Sequence, residues 1–303
     1  MTRKPVALTI FCLIALAAAA QSAHATFAGK PGLVARGDHS GIYVANPDGS
    51  DERLVAESTD ARNPAWSPDG RRIAFTARPD GNPFHIYVVN VKNGKIRQIT
   101  SAPQFDSRPS WAPDGKSIVF VRDMPDDDAV FRLRLKDGRI RQIAEGPHIY
   151  AAEFAPNGKS VAVATGLNVY LYATAADGIS QLRTLATFPG GDGEQLAGSV
   201  GWAPNSKRLV IGTVANGPCD QCSHIWTVKA NGEGLKQLTT GGPAGYGVPF
   251  YRPRGGKIAF CFGEWNQDNT AFVTELRLMN QNGKHAHRIG SFCGSDWQAL
   301  PQH

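Results

Sequence analysis

The chain has 303 residues, 42% of them hydrophobic, with 33 Gly and 20 Pro, enough apolar material for a large core crossed by many turns. Its formal charge of +6 gives a pI near 9.1. Two of those charges, Arg3 and Lys4, fall in a predicted leader and no basic run follows, so a nucleic-acid surface is not expected.

The first 25 residues read as a secretory signal: Arg3 and Lys4, an apolar run from Val6 to Ala20, then the small-x-small site Ala23-His24-Ala25. That run of 15 residues is shorter than the roughly 20 a spanning helix needs. Cys12 is not preceded by a small residue, which argues against a lipoprotein. The expectation is a leader over 1–25, a single domain over 26–303, and a periplasmic or secreted product with no stable membrane insertion after cleavage.

Three short apolar strands open the domain, at Gly32–Arg36, Gly41–Asn46 and Glu52–Val55. Next comes Trp66-Ser67-Pro68-Asp69-Gly70-Arg71-Arg72-Ile73-Ala74-Phe75, a strand, a turn and a second strand. Asp69-Gly70 reads as a tight hairpin turn with both central residues at φ > 0. Ile86–Asn90 and Ile96–Thr100 complete this four-stranded unit. The motif returns at Trp111–Phe120 and persists in weaker form around Phe154, Trp202, Tyr251 and Trp297, at spacings of 45, 43, 48, 49 and 46 residues. In the last full unit a long loop is expected from Gly263 to Thr270.

A four-stranded unit that cannot bury both faces alone must stack on copies of itself, and a period of about 40–50 residues is that of a propeller blade. The first unit lacks its Trp strand, and the last segment, Asp296–Pro301, is such a strand with nothing after it. The predicted fold is therefore all-β: a six-bladed β-propeller of four-stranded blades, its ring closed by the C-terminal strand pairing into the first blade. The recurring aromatics are expected to pack between blades.

The pattern aromatic-Ser/Ala-Pro-Asp-Gly-Lys/Arg-x-Ile-Ala/Val-Phe, followed by Ile-Tyr-Val and a Leu/Ile-Thr ending, resembles the WD40-like (PD40) repeat of the TolB-type propellers. Trp66–Phe75, Trp111–Phe120, Ile86–Asn90 and Ile99-Thr100 carry the likeness best, and it extends over the whole of 26–303. The family implies a periplasmic adaptor that docks a peptidoglycan-associated lipoprotein. TolB itself has a further N-terminal domain, for which the sequence after the leader leaves no room. TolB-like lyases imply another role, with a metal held by side chains from several blades. The α/β-hydrolase domain of propeller-gated peptidases has no counterpart in the sequence.

Four cysteines follow the leader, and an even number in an oxidising compartment points to disulfides. Topology places Cys219, Cys222, Cys261 and Cys293 on one face of neighbouring blades. Two local bridges are preferred, Cys219–Cys222 and Cys261–Cys293, with a four-thiolate zinc site as the rival. Nothing matches Gly-x-Ser-x-Gly, His-Glu-x-x-His or Ser-x-x-Lys, so no catalytic residue, metal site or cofactor is assigned. His285-x-His287 and the acidic run Asp126–Asp128 read as solvated, and His85 and His224 as blade packing.

The irregular residues just upstream of each aromatic should ring the channel mouth: Asp60, Asp106, Arg108, His148, Tyr150, Glu153, Glu194, Tyr246 and Asp296. Carboxylates, an Arg, a His and two Tyr around a concavity suit a peptide or glycan. The expected protein is a monomeric, non-catalytic binding or scaffolding module. It would engage a protein, peptide or glycan of the cell envelope at the loop face. The alternative is a propeller-type polysaccharide lyase or other carbohydrate-active enzyme.

Overall fold

A computed structural model describes residues 26–81, 83–174, 181–188, 195–215, 223–239, 245–265 and 272–300; the expected leader lies outside them. In these residues the chain forms six four-stranded sheets. Blade 1 begins with β1 (Lys30–Asp38), β2 (Gly41–Ala45) and β3 (Arg53–Glu57). Blade 2 holds β4 (Arg62–Trp66), β5 (Arg72–Ala77), β6 (His85–Asn90) and β7 (Ile96–Gln98). Blade 3 holds β8 (Asp106–Trp111), β9 (Ser117–Arg122), β10 (Asp128–Arg134) and β11 (Ile140–Gly146). Blade 4 holds β12 (Ala151–Phe154), β13 (Ser160–Thr165), β14 (Asn168–Ala173) and β15 (Gln181–Thr187). Blade 5 holds β16 (Gln195–Trp202), β17 (Arg208–Ala215), β18 (Ser223–Lys229) and β19 (Lys236–Gln237). Blade 6 holds β20 (Gly245–Tyr251), β21 (Lys257–Trp265), β22 (Phe272–Asn280) and β23 (His287–Gly290).

The last strand, β24 (Asp296–Leu300), pairs antiparallel with β1, Trp297 opposite Val34, and so completes blade 1. The innermost strands β4, β8, β12, β16, β20 and β24 touch one another in ring order. Ring closure by the C-terminal strand is thus as the repeat count requires.

The core lies between blades. Trp66 and Phe75 of blade 2 pack with Ile42, Val44 and Val55 of blade 1, and Trp202 of blade 5 packs with Val169 and Leu185 of blade 4. The repeat aromatics Trp66, Trp111, Phe154, Trp202, Tyr251 and Trp297 are all buried. Two reach the preceding blade: Trp111 Nε1 donates to Ala65 O at 3.0 Å, and Trp202 Nε1 donates to Glu153 O at 3.1 Å. Polar tips that find a backbone acceptor let these rings be buried whole.

Two local expectations are corrected. The Asp-Gly turns are not pairs of residues at φ > 0: only the glycine is, at +66° for Gly70, and Gly70 N donates to Ser67 O at 2.8 Å. This is a type I turn with Pro68 second and Gly70 fourth, the positions those residues favour. The long loop expected from Gly263 is shorter, because β21 and β22 keep pairing through Trp265 opposite Phe272. Gly263 sits opposite Thr274 as an ordinary ladder residue rather than as a strand breaker.

Candidate functional site

Strand direction sorts the connections onto two faces. Short turns such as 67–71 and 112–116 lie at one end of the ring, the turn face. The segments that lead into each innermost strand lie at the other, the loop face, together with the links between second and third strands.

At the loop face the innermost strands depart from regular pairing. Register skips between Arg62 and Ala65 in β4 and between Ser107 and Ser110 in β8. The skipped residues include Asn63 and Arg108, with φ of 50° and 55°, each followed by a proline that has no N–H to lose from the ladder. Asp60 and His148, each six residues before its aromatic, also take positive φ, 50° and 51°. Non-glycine residues rarely adopt this region, and clusters of them mark places where the surroundings hold a side chain in a set direction.

Most of the expected carboxylates are committed to the protein itself. Asp106 is fully buried and takes a two-pronged contact from Arg122, Nε at 2.6 Å and Nη2 at 3.0 Å. Asp296 is buried and accepts the Trp66 N–H at 2.6 Å and the Trp297 N–H at 2.7 Å, joining blade 1 to blade 2. Ser110 has the corresponding role between blades 3 and 4, accepting the Phe154 N–H at 3.2 Å. These contacts supply partners for N–H groups on the unpaired inner edges of blades 1, 2 and 4. Glu153 is fully buried as well.

Asp60 is the centre of a charged group: His39 Nδ1 lies 2.6 Å from Oδ1, Arg78 Nε donates to Oδ2 at 2.6 Å, and Arg62 Nη2 stands 3.8 Å away. The His39 contact foremost, then Arg78, holds the Asp60 carboxyl below its ordinary range.

Arg108, His148 and Tyr150 reach solvent, Arg108 and Tyr150 half-buried and His148 exposed. Arg108 Nε is buried with no hydrogen-bond partner among the described residues. Burial lowers its pKa, opposed by Asp123, Asp128 and Tyr150 nearby. Burial, then the neighbouring Asp128, raises Asp123. Asp128, expected to be solvated, instead accepts the Ile149 N–H at 2.8 Å. Glu194, Cys219 and Cys222 lie outside the described residues, and for Tyr246 only the backbone, in β20, is described.

The structure adds a feature that the repeat pattern passes over. Phe84 stands close to two guanidinium groups, 5.1 Å from that of Arg62 and 4.9 Å from that of Arg78, and meets Phe105 edge to face at 6.1 Å. Phe105 is 47% exposed, and both arginine side chains are nearly half-exposed. Backbone bonds tie the ledge together: Asp106 N donates to Phe84 O at 2.8 Å and Asp123 N to Phe105 O at 3.0 Å. Arg62 is not among the residues expected at the channel mouth, although it lies in the same segment as Asp60, before Trp66. Arg78 and Phe84 flank a polar loop whose length alone says nothing of where it folds.

Two open concavities, of about 620 and 390 Å³, lie on the turn face instead. The larger is lined by Gly29, Lys30, Pro204, Asn205, Pro253 and Arg254, largely turn residues that shape the hairpins. Convergent charged and aromatic groups favour the loop face as the candidate site. Among the described residues no three His, Cys, Asp or Glu side chains converge as a metal site, and no helix is long and apolar enough to cross a membrane.

The TolB from Acinetobacter baumannii superposes with a TM-score of 0.67 at 19% identity, over 91% of this chain and 68% of that one. A putative TolB from Agrobacterium tumefaciens gives 0.61 at 17%, over 82% and 87%. An oligogalacturonate lyase in complex with manganese gives 0.57 at 14%, over 89% and 77%. At these identities the likeness is one of fold. In sequence, 62 residues are 36% identical to the uncharacterized peptidase YuxL of Bacillus subtilis (strain 168), spanning 20% of this chain and only 9% of that protein. The family model for the TolB beta propeller domain, PD40, matches residues 35–187, half of the chain. The chain belongs to the TolB β-propeller (PD40) family.

Proposed function

We propose that this protein is an exported, non-catalytic binding or scaffolding propeller that engages a partner of the cell envelope at its loop face. One observation carries the reading. The ledge of Arg62, Phe84, Arg78 and Phe105 offers exposed aromatic and guanidinium surface on a backbone tied down by hydrogen bonds. Aromatic residues and arginines dominate the binding energy of protein interfaces, above all where the surface is already ordered. The remaining positive charge beside Asp60 suits a partner segment bearing carboxylates. The family's adaptor role and the leader read from residues 1–25 support the same assignment. The rival reading, a carbohydrate-active enzyme, rests on fold likeness alone.

The test is site-specific photo-cross-linking in cells, with the probe at Phe105 on the loop face or at Lys136 on the turn face. Discrete adducts are expected from position 105 only, and they should disappear when Arg62 and Arg78 are both changed to Ala. Equal labelling from both positions would remove the loop face from consideration. Turnover of an acidic polysaccharide panel by purified protein would replace binding with catalysis.

A further inference from the structure

Cys261 and Cys293 meet where the ring closes. Cys261 lies in β21 of blade 6, opposite Gly247 and Leu276. Cys293 lies in the crossover 291–295 that carries the chain from β23 of blade 6 to β24 of blade 1. Both are half-buried thiols, in hydrogen-bonding contact with each other, and Cys261 Sγ lies 3.7 Å from Gly294 O. The crossover has no slack. Ser295 N donates to Ala35 O at 2.9 Å, and a Cβ on Gly294 would stand 2.1 Å from Val34 Cγ1.

Comparison with another junction shows what is unusual. At the step from blade 2 to blade 3, Thr76 of the second strand accepts the N–H of Arg108, three residues before the aromatic, at 3.1 Å. Cys261 occupies the place of Thr76, three residues past the partner of its aromatic, and Gly294 the place of Arg108. A hydrogen bond in one junction is matched by a pair of thiols in the other. This junction also needs the help most, because β20 against β24 is the sparsest contact between innermost strands.

We propose that Cys261 and Cys293 are a modification site, oxidised to a disulfide after export, and that this bond clasps the crossover to blade 6 so that β24 is held ready to close the ring. The bond does not span the β1–β24 seam. It limits how much chain can leave when β24 peels away, and so removes freedom from the open ring rather than adding contacts to the closed one.

The oxidant is a protein or small-molecule disulfide, as an exporting compartment supplies. One cysteine thiolate attacks the donor disulfide, forming a mixed disulfide and expelling one donor thiolate. The second cysteine thiolate then attacks the mixed disulfide, forming the Cys261–Cys293 bond and expelling the other. The donor ends as two thiols carrying the two protons that the cysteines lost. Contact with Cys293, and then burial, pushes the Cys261 thiol well above its usual range, so unassisted oxidation through its thiolate is slow.

The test uses the full chain exported from its own leader, purified without reductant, alkylated under denaturing conditions and digested. The expected result is one linked peptide containing Cys261 and Cys293, present also when Cys219 and Cys222 are both changed to Ser. Reducing the native protein should lower its unfolding midpoint by roughly 5–10 °C. The variant with Cys261 and Cys293 both changed to Ser should unfold at the lower temperature with or without reductant. Alkylation of both cysteines before reduction, linkage of either one to Cys219 or Cys222, or bound zinc would overturn the proposal. An unfolding midpoint of the unaltered protein indifferent to reductant would overturn the clasp. Neither readout depends on partner binding, so the loop-face assignment stands or falls apart from it.

Discussion

At the turn face, residues 67–70, 112–115 and 155–158 close with the same hydrogen bond, at 2.8–2.9 Å, around the same Pro-Asp-Gly or Pro-Asn-Gly sequence. At the loop face the described carboxylates each have a different set of partners: Asp60 gathers His39 and Arg78, Asp106 gathers Arg122, and Asp296 gathers two backbone N–H groups. One face repeats because it solves a local problem, the reversal of a chain between two strands. The other varies because each side chain there answers to neighbours brought from elsewhere in the sequence. The turn face should therefore be sensitive to backbone conformation and indifferent to binding, and much of the loop face the reverse.

Substitutions can break or sharpen that contrast. The packing both faces share sets the upper end: Trp111→Ala should cost about 3–5 kcal/mol in chemical denaturation, because a buried indole and its bond to Ala65 O are lost together. Asp106→Ala should cost about 3 kcal/mol by the same measurement, since Arg122, its side chain only 13% exposed, is left without its carboxylate. A cost near zero would show that water enters and solvates that arginine.

On the turn face, Gly70→Ala should cost about 1 kcal/mol, because φ is +66° and the new Cβ would lie 3.3 Å from Ala299 O. Position 206 in blade 5 sharpens the point. It is the equivalent of Gly70, yet it is a serine held at φ +58°, and its hydroxyl accepts the Asn157 N–H at 3.0 Å. Ser206→Gly relieves the backbone and loses that bond, so its stability should move by less than about 0.5 kcal/mol. Phe105→Ala should fall in the same narrow range while abolishing cross-links from a probe placed instead at the exposed Met124 of the same face.

Acid provides a last, smaller test. The folded Asp60 pKa lies below its ordinary value of 3.8. Its contribution is therefore present above that value and is lost as the pH falls through the folded pKa. Stability of the unaltered protein should drop relative to Asp60→Asn across that window, and parallel curves would mean that His39 and Arg78 do not hold the carboxylate in solution.

Much of the architecture was legible because a blade is a local pattern. Trp66, Trp111 and their eroded copies mark innermost strands by spacing alone, and Trp297 marks the closing strand because the first unit lacks an aromatic strand of its own. Turn conformation was less legible. Asp-Gly pairs are compatible with two turn types, and only the backbone shows that Pro68 and Gly70 set the one used. The site was legible by position and not by role. Asp60, Asp106 and Asp296 do lie in the segments entering the innermost strands, but ion pairs and backbone contacts absorb them, while Phe105, with the half-buried Phe84 against it, carries the exposed aromatic surface.

By itself the sequence determined the all-β class, the six blades, the closing strand and the inter-blade place of the aromatics, since all follow from a hydrophobic period that each unit expresses within about 45 residues. The tertiary structure alone decided which charges are spent and which face solvent. Asp296 meets Trp66 across 230 residues, and Asp60 meets His39 across 21. A carboxylate's availability depends on what the folded chain places against it, and no periodicity encodes a contact that occurs once.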